Sequence, residues 1–505
     1  MDIQLINPEN LVVTSGQLFM AAPYFVLLFG AMAGLLFGVS NRFSDQMMTK
    51  AISVGTILVA IYFTWLSYGE PNQALFNKML ACDAYASYFN LLFLFIALYI
   101  CISSFSYIEM NGINHPEYYT LILFTALGMM LLANALDLIV LFVALEIMSI
   151  AVYVLVGFKR NDVRSNEGAI KYFVLGSAAS AVFLYGTALI YGAIGTFNIV
   201  EIATVVRSGT GPNTLFILGA LFVLIGFLFK VAAAPFHMWS PDVYEGAPVT
   251  ITNLMTTGVK AAAFASFVRV FASLDYFESS GEPVGAYFKN VLWILAVVTM
   301  FVGNVIALTQ PNLKRMLAYS SISHTGYIIV GMIGAAQLAS GEGYSAILTY
   351  ITTYVVANLG AFGILSYLAN SGDGCLELSD LAGLGSKRPL QAFALMVFML
   401  SMAGVPPTAG FIGKYLMFSS AVQAGEIWLV ILAVLCSAIS AYYYLRVIVM
   451  MYMKDPIHDF DGRSSGVTQA ALAGATVALT IQVGLFPSSV MVLAERAVIS
   501  LAGLY

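Results

Sequence analysis

Five ionisable side chains lie in stretches of this sequence too apolar to face water: Glu146, Lys230, Lys260, His324 and Lys414. Glu146 stands in mid-run in LDLIVLFVALEIMSIAVYVLVGF, and its short side chain cannot reach either end. Lys230 closes the run GALFVLIGFLFK, with Pro235 soon after. Lys260 sits within ITNLMTTGVKAAAFASFVRVF, Lys414 follows SMAGVPPTAGFIG, and His324 lies in LAYSSISHTGYIIVG. A charge at the centre of a bilayer costs at least about 2.5–3.5 kcal/mol. Each therefore needs a partner, a hydrated gap or a function. Burial disfavours an ammonium and a nearby carboxylate restores it, so this set on five separate helices is suited to passing a proton. We expect a Glu146–Lys230 pair to act as the switch, releasing a proton toward Lys260, with Ser320, Ser321 and Ser323 sharing protons with His324. The plainer alternatives are a glutamate satisfied by hydroxyls, lysines that snorkel, and a histidine that merely packs. Arg269 reads as an interface anchor, and His115, His237 and His458 are given no role.

The elements that would carry these groups follow from composition. The 505 residues are 60% hydrophobic and 9% charged, where soluble proteins carry roughly 25% charged residues. An all-α integral membrane protein of about fourteen transmembrane helices is expected. Candidate spans fall near 18–39, 51–68, 84–106, 117–134, 136–157, 168–194 and 214–233. The rest fall near 251–274, 287–308, 313–335, 345–370, 389–424, 427–453 and 468–492. Two are expected to break: at Pro235, and at the Pro406-Pro407 pair flanked by Gly404, Gly410 and Gly413. Broken helices at membrane depth line cavities.

Lysine and arginine placement orients the bundle. With the N-terminus outside, cytoplasmic connections hold Arg42, Lys50, Lys159, Arg160, Arg164, Lys171, Lys314, Arg315, Lys387, Arg388, Arg446, Lys454 and Arg463. The opposite side holds Lys78, Arg207, Lys289 and Arg496. Both termini are expected outside. The first 17 residues carry Asp2 and Glu9 and no basic region, so the first helix is expected to be retained. The connection from Ser371 to Pro389 is too short to fold alone.

Several function classes are disfavoured. A net charge of -5 with no basic block argues against nucleic acid. Cys82, Cys101, Cys375 and Cys436 have no metal-ligand spacing and read as small apolar fillers. No glycine-rich nucleotide fingerprint occurs.

Four segments carry a resemblance: LEIMSIAVYVLVGFKRNDVRSNEGAIKYFVLGS, FKVAAAPFHMWSPDVYEGAP, LKRMLAYSSISHTGY and GVPPTAGFIGKYLMF. They resemble the antiporter-like membrane-arm subunits of bacterial NADH:quinone oxidoreductase, respiratory complex I, from about Tyr118 to Arg446. The wording PDVYEGAP resembles the N type, where L, M and Mrp-type relatives usually read PDAHxEAP. The M type generally has glutamate at the position of Lys414, and the L type continues into a lateral helix that is not expected here.

The resemblance implies fourteen helices with two inverted five-helix repeats and two broken helices. The segments would be 1–116 (helices one to three), 117–274 (first repeat), 287–453 (second repeat) and 454–505 (last helix). It also implies proton-translocating roles for Glu146, Lys230, Lys260 and Lys414, and a delivery role for Lys171 in GAIKYFVLG. No cofactor is expected in this chain; flavin, iron–sulfur clusters and quinone would belong to partner subunits. The implied partners are the M-type neighbour and the small K-, J- and A-type subunits, in a bacterial inner membrane. The competing expectation is a stand-alone monovalent cation/proton antiporter of the Mrp type, for which no intramembrane acid pair offers a dedicated cation site. A scaffold with inert buried charges ranks last.

Overall fold

The computed structural model describes residues 13–39, 46–208, 213–273, 283–338, 341–369, 376–457 and 467–502. Arg42, Cys375, His458 and Arg463, and the side chain of Arg207, lie outside the described residues. Among the described residues the chain is a helical bundle with one small hairpin, Gln73–Leu75 against Leu80–Cys82. In chain order the helices are α1 (Ser15–Met20), α2 (Ala22–Val39), α3 (Gln46–Ser67), α4 (Ala84–Met110), α5 (Glu117–Asn134), α6 (Leu138–Val156) and α7 (Val163–Ile194). Next come α8 (Ile199–Arg207), α9 (Thr214–Lys230), α10 (Trp239–Gly246), α11 (Val249–Leu254), α12 (Lys260–Ser273), α13 (Pro283–Leu308) and α14 (Leu313–Ala335). The remainder are α15 (Glu342–Leu368), α16 (Leu384–Lys387), α17 (Pro389–Ala403), α18 (Ala409–Gln423), α19 (Ile427–Met453), α20 (Val467–Leu485) and α21 (Ser488–Ala502).

Polar residues at the edges of the apolar runs fix where helices start. Asp83, Asp137, Asn198, Asn213 and Asn312 each accept from backbone N–H groups of the following turn, satisfying donors that the helix cannot. Among the described residues, eleven helices are long and apolar enough to cross a membrane. Three shorter apolar ones accompany them: Ala22–Gly38, Thr214–Lys230 and Pro389–Ala403. The innermost elements are α11–α12, α14 and α15, which are almost wholly buried. Outer helices present Trp65, Ile170, Ile294, Trp428 and Leu445 to the surroundings, as a lipid-facing surface requires.

Both expected breaks are present, and each has its own shape. Helix α9 ends at Lys230 itself, ahead of Pro235, and Ala232 takes a positive φ of 56° as the chain turns. Helix α17 ends at Ala403, Gly404 turns with φ 88°, and Pro406-Pro407 fill the gap before α18. A side chain at Gly410 would stand 1.9 Å from the Ser401 carbonyl oxygen, so only glycine lets the two half-helices pass so closely.

Other features depart from expectation. The last span divides at Pro487 into α20 and α21. Surface helix α8 stands where a loop was expected. Between α11 and α12, residues Met255–Val259 form a π turn that ends at Lys260; such turns concentrate at functional sites.

Candidate functional site

Helix α6 presents Glu146, Ser149 and Tyr153 at i, i+3 and i+7, one face of a helix. The ammonium of Lys230 donates to Ser149 Oγ at 2.8 Å and Tyr153 OH at 3.3 Å. The rings of Tyr153, Tyr172 and Phe229 lie 5.5, 5.6 and 5.8 Å from it, within cation–π range. Ser149 spends its own proton on the Leu145 carbonyl, which leaves its lone pairs to the lysine. An ammonium has three protons, and two acceptors are filled here. Glu146 makes no ion pair with Lys230: its Oε1 is buried and accepts no hydrogen bond. The lysine is held by the hydroxyls of α6 and not by direct contact with Glu146.

Lys260 is held by α14. It donates to the Ser321 carbonyl at 2.7 Å, to Ser321 Oγ at 2.5 Å and to Thr325 Oγ1 at 3.1 Å, so all three protons are used. Thr325 in turn donates to the Val231 carbonyl at 2.7 Å, in the turn that follows Lys230. The break in the first half therefore touches the shell of Lys260 directly.

Beyond Lys260, Tyr354 OH donates to Ser321 Oγ at 2.8 Å, and its ring lies 5.0 Å from that of His324. His324 joins Tyr350 OH through Nδ1 at 2.5 Å and Tyr444 OH through Nε2 at 3.1 Å. A neutral imidazole donates from one nitrogen and accepts at the other, so a ring with a hydroxyl at each end can pass a proton across itself. Ser320 also bonds Tyr444. Ser323 bonds back to the Tyr319 carbonyl instead, so two of the three expected serines join the network.

A small cavity with room for about one water lies between His324, Tyr350, Tyr354, Ser401 and Lys414. Lys414 donates to the Met402 and Ala403 carbonyls at 2.9 and 3.1 Å and to Ser437 Oγ at 2.9 Å. Those carbonyls close α17, where the helix dipole favours a cation. The break thus supplies the acceptors that let this lysine be buried.

Lys171 lies apart from the buried line. It bridges Glu167 at 2.6 Å and Asp242 at 2.7 Å, beside Tyr172, which floors Lys230. Arg269 corrects an expectation: it is fully buried rather than an interface anchor. It grips both oxygens of Asp83 at 2.9 and 3.0 Å, donates to the Ala133 carbonyl at 2.7 Å and lies over Tyr85. Lys314, expected in a loop, is buried and donates to the Ala247 carbonyl at 2.7 Å. Among the described residues no cluster of histidine, cysteine or acids is arranged for a metal ion.

Buried lysines on two broken helices, strung together by hydroxyls and one imidazole, define an antiporter-like membrane protein. Residues 135–440 match the family described as NADH:quinone oxidoreductase/Mrp antiporter, TM, and the chain belongs to that family. It is similar to a protein of Trichlorobacter lovleyi named NADH-quinone oxidoreductase subunit N. The two are 47% identical over 84% of this chain and 85% of that one. Among solved structures it is similar to a chain of respiratory complex I from Thermus thermophilus. The identity is 34%, with 94% and 99% of the chains covered and a TM-score of 0.79. A chain of the Mrp complex from Dietzia shares the fold, at 22% identity, 95% and 97% coverage and a TM-score of 0.80.

Proposed function

We propose that this chain is the N-type proton-translocating subunit in the membrane arm of NADH:quinone oxidoreductase, moving protons while other subunits carry out the redox chemistry. The observation that carries this is the row of polar groups through otherwise apolar helices: Lys230, then Thr325 on the Val231 carbonyl beside it, Lys260, Ser321, Tyr354 in ring contact with His324, the cavity and Lys414. Relatives 38–47% identical over most of the chain bear the subunit N name, which supports the complex I reading over the antiporter one. Glu146 modulates Lys230 through space, and Lys230, with one proton unpartnered, is the lysine most open to that control. Lys260 and Lys414, saturated with acceptors, hold protons until His324 offers a route between them. Lys171 delivers from the cytoplasmic side.

Two inverted repeats, 117–274 and 287–453, fit the hydrogen-bonding pattern. Asp137, at the start of α6, pairs by backbone bridge with Asn198, at the start of the short helix α8. Asn312, at the start of α14, pairs the same way with Glu377, which opens the short 3-10 turn Leu378–Leu381. In each case a long helix intervenes and a broken helix follows. Counting α9 as a span, and α17 with α18 as one, gives fourteen and makes α6 and α14 run in opposite directions. Lysine and arginine placement supports both termini lying outside a bacterial inner membrane. Flavin, iron–sulfur clusters and quinone belong to partner chains, among them the M-, K-, J- and A-type subunits as membrane neighbours.

Affinity isolation of the tagged chain from native membranes in mild detergent tests the assignment. Companion chains with NADH dehydrogenase activity are expected. Recovery of the chain alone, with cation-driven proton exchange in vesicles, would replace this reading by the antiporter one.

A further inference from the structure

Helix α10 carries two acids that the proton line leaves unused. Asp242 accepts from Lys171 Nζ of α7 at 2.7 Å through one oxygen and from Arg315 Nη1 of α14 at 2.7 Å through the other. The same Arg315 nitrogen reaches Glu245 at 3.0 Å, and Arg164 of α7 stands 3.6 Å from that carboxylate. The carbonyl that closes α10, Ala247 O, accepts from Lys314 of α14. An isolated, half-exposed ion pair contributes little. Here, however, one carboxylate is shared by cations of two helices, one from each half of the molecule, and the helix they hold is eight residues long.

The other end of α10 meets Lys230. Trp239, one turn before Asp242, donates its indole N–H to the Phe229 carbonyl at 3.0 Å. Its ring stacks on Tyr172 at 4.3 Å and 9°, and Tyr172 lies 5.6 Å from the Lys230 ammonium. Tyr172 also follows Lys171 in the chain. Cations at the edge of the bundle are therefore wired by one rigid turn to the floor of a buried lysine.

We propose that Asp242 and Arg315 are a positioning pair that clamps α10 between the two halves and, through Trp239 and Tyr172, sets the place of the Lys230 ammonium on α6. The inference rests on Lys230 being a proton carrier. Neither residue of the pair touches the Lys230 ammonium, although Asp242 also accepts from Lys171. Their part is to keep Lys230 on Ser149 and Tyr153, and to let the second half of the molecule, through α14, govern the first.

The test uses the whole complex carrying Asp242→Asn, Asp242→Glu, Arg315→Lys or Lys230→Ala, matched for assembled complex on native gels, with NADH-driven proton uptake measured in vesicles. Asp242→Asn is expected to lower uptake by about tenfold, and Asp242→Glu to recover most of it. Parent-level uptake in Asp242→Asn, or a glutamate variant no better than the asparagine one, overturns the proposal. If Asp242→Asn does not assemble, Arg315→Lys decides. It keeps the charge and loses the planar fork, so about a threefold loss is expected, and parent-level uptake overturns the clamp. Lys230→Ala separates the two failures. If it pumps like the parent, the relay reading falls. If it is inactive while the Asp242 and Arg315 variants are normal, the clamp alone falls.

Discussion

The Asp83–Arg269 pair ties the start of α4 to α12, and its removal has a calculable consequence. Both side chains are fully buried. Asp83 also accepts from the Ala86 N–H at 2.6 Å, capping α4. Arg269→Met would leave an unpaired carboxylate in the interior, and breaking such a pair costs about 3–5 kcal/mol. Asp83→Asn would keep the cap and deprive the buried guanidinium of its counter-charge, at a similar cost. At 1.36 kcal/mol per tenfold, either change should raise local opening by roughly two to four orders of magnitude. The double variant removes both charges and should recover most of that loss, because neither charge is then left buried without its partner. Hydrogen exchange followed by mass spectrometry on the purified complex reads this directly at the first turn of α4 and the last of α12, since exchange there reports local opening. Single variants exchanging like the parent, or a double variant as open as the two losses combined, would refute the reasoning.

Two further outcomes follow from the geometry. A side chain at Gly484 of α20 would stand 2.1 Å from the Pro407 carbonyl oxygen, and that backbone cannot yield cheaply. Gly484→Ala is expected to cost about 1–3 kcal/mol by overpacking and to lower the amount of assembled complex on native gels, whereas Gly474→Ala, with open space around it, should not. Glu426, in the turn between α18 and α19, is pushed up by burial. Lys289 at 2.6 Å and Gln337 at 3.1 Å outweigh that and hold its carboxyl below the usual value of 4.5. Its contribution should be whole above 4.5 and fade as pH falls through the lowered value. Protection of the start of α19 from hydrogen exchange, followed down the acid range, should fall in the parent and be flat in Glu426→Gln.

The sequence makes the lysines legible because a charge inside an apolar run is conspicuous whatever the fold. It makes the two breaks legible because proline removes a donor. The place of a break is less legible: α9 ends at Lys230 because Ala232 turns the chain, and an alanine at positive φ has no compositional signature. The partners of the lysines divide the same way. Ser149 and Tyr153 are not singled out by the sequence reading, but their spacing from Glu146 puts them on the same face of α6 and could have pointed to them. As lysine partners, Ser321, Thr325 and Ser437 have no such pointer, because they come from helices distant in sequence. Arg269 was misread for the same reason. Position near the end of a run suggests an anchor, and only the fold shows that Asp83 is opposite it. The grip of Lys171, Arg315 and Lys314 on α10 also joins residues that no local pattern connects.

The central claim is that protons cross this chain through its buried lysines. Lys260 is its most direct test, because it stands between the two breaks with every proton engaged. NADH-driven proton uptake should be measured in vesicles holding equal amounts of assembled complex with the parent chain or Lys260→Ala, the latter removing only the amine and its stem. Uptake is expected to fall by at least about tenfold, the loss of one essential proton-transfer group. Uptake equal to the parent would contradict the claim and leave the buried charges as scaffolding.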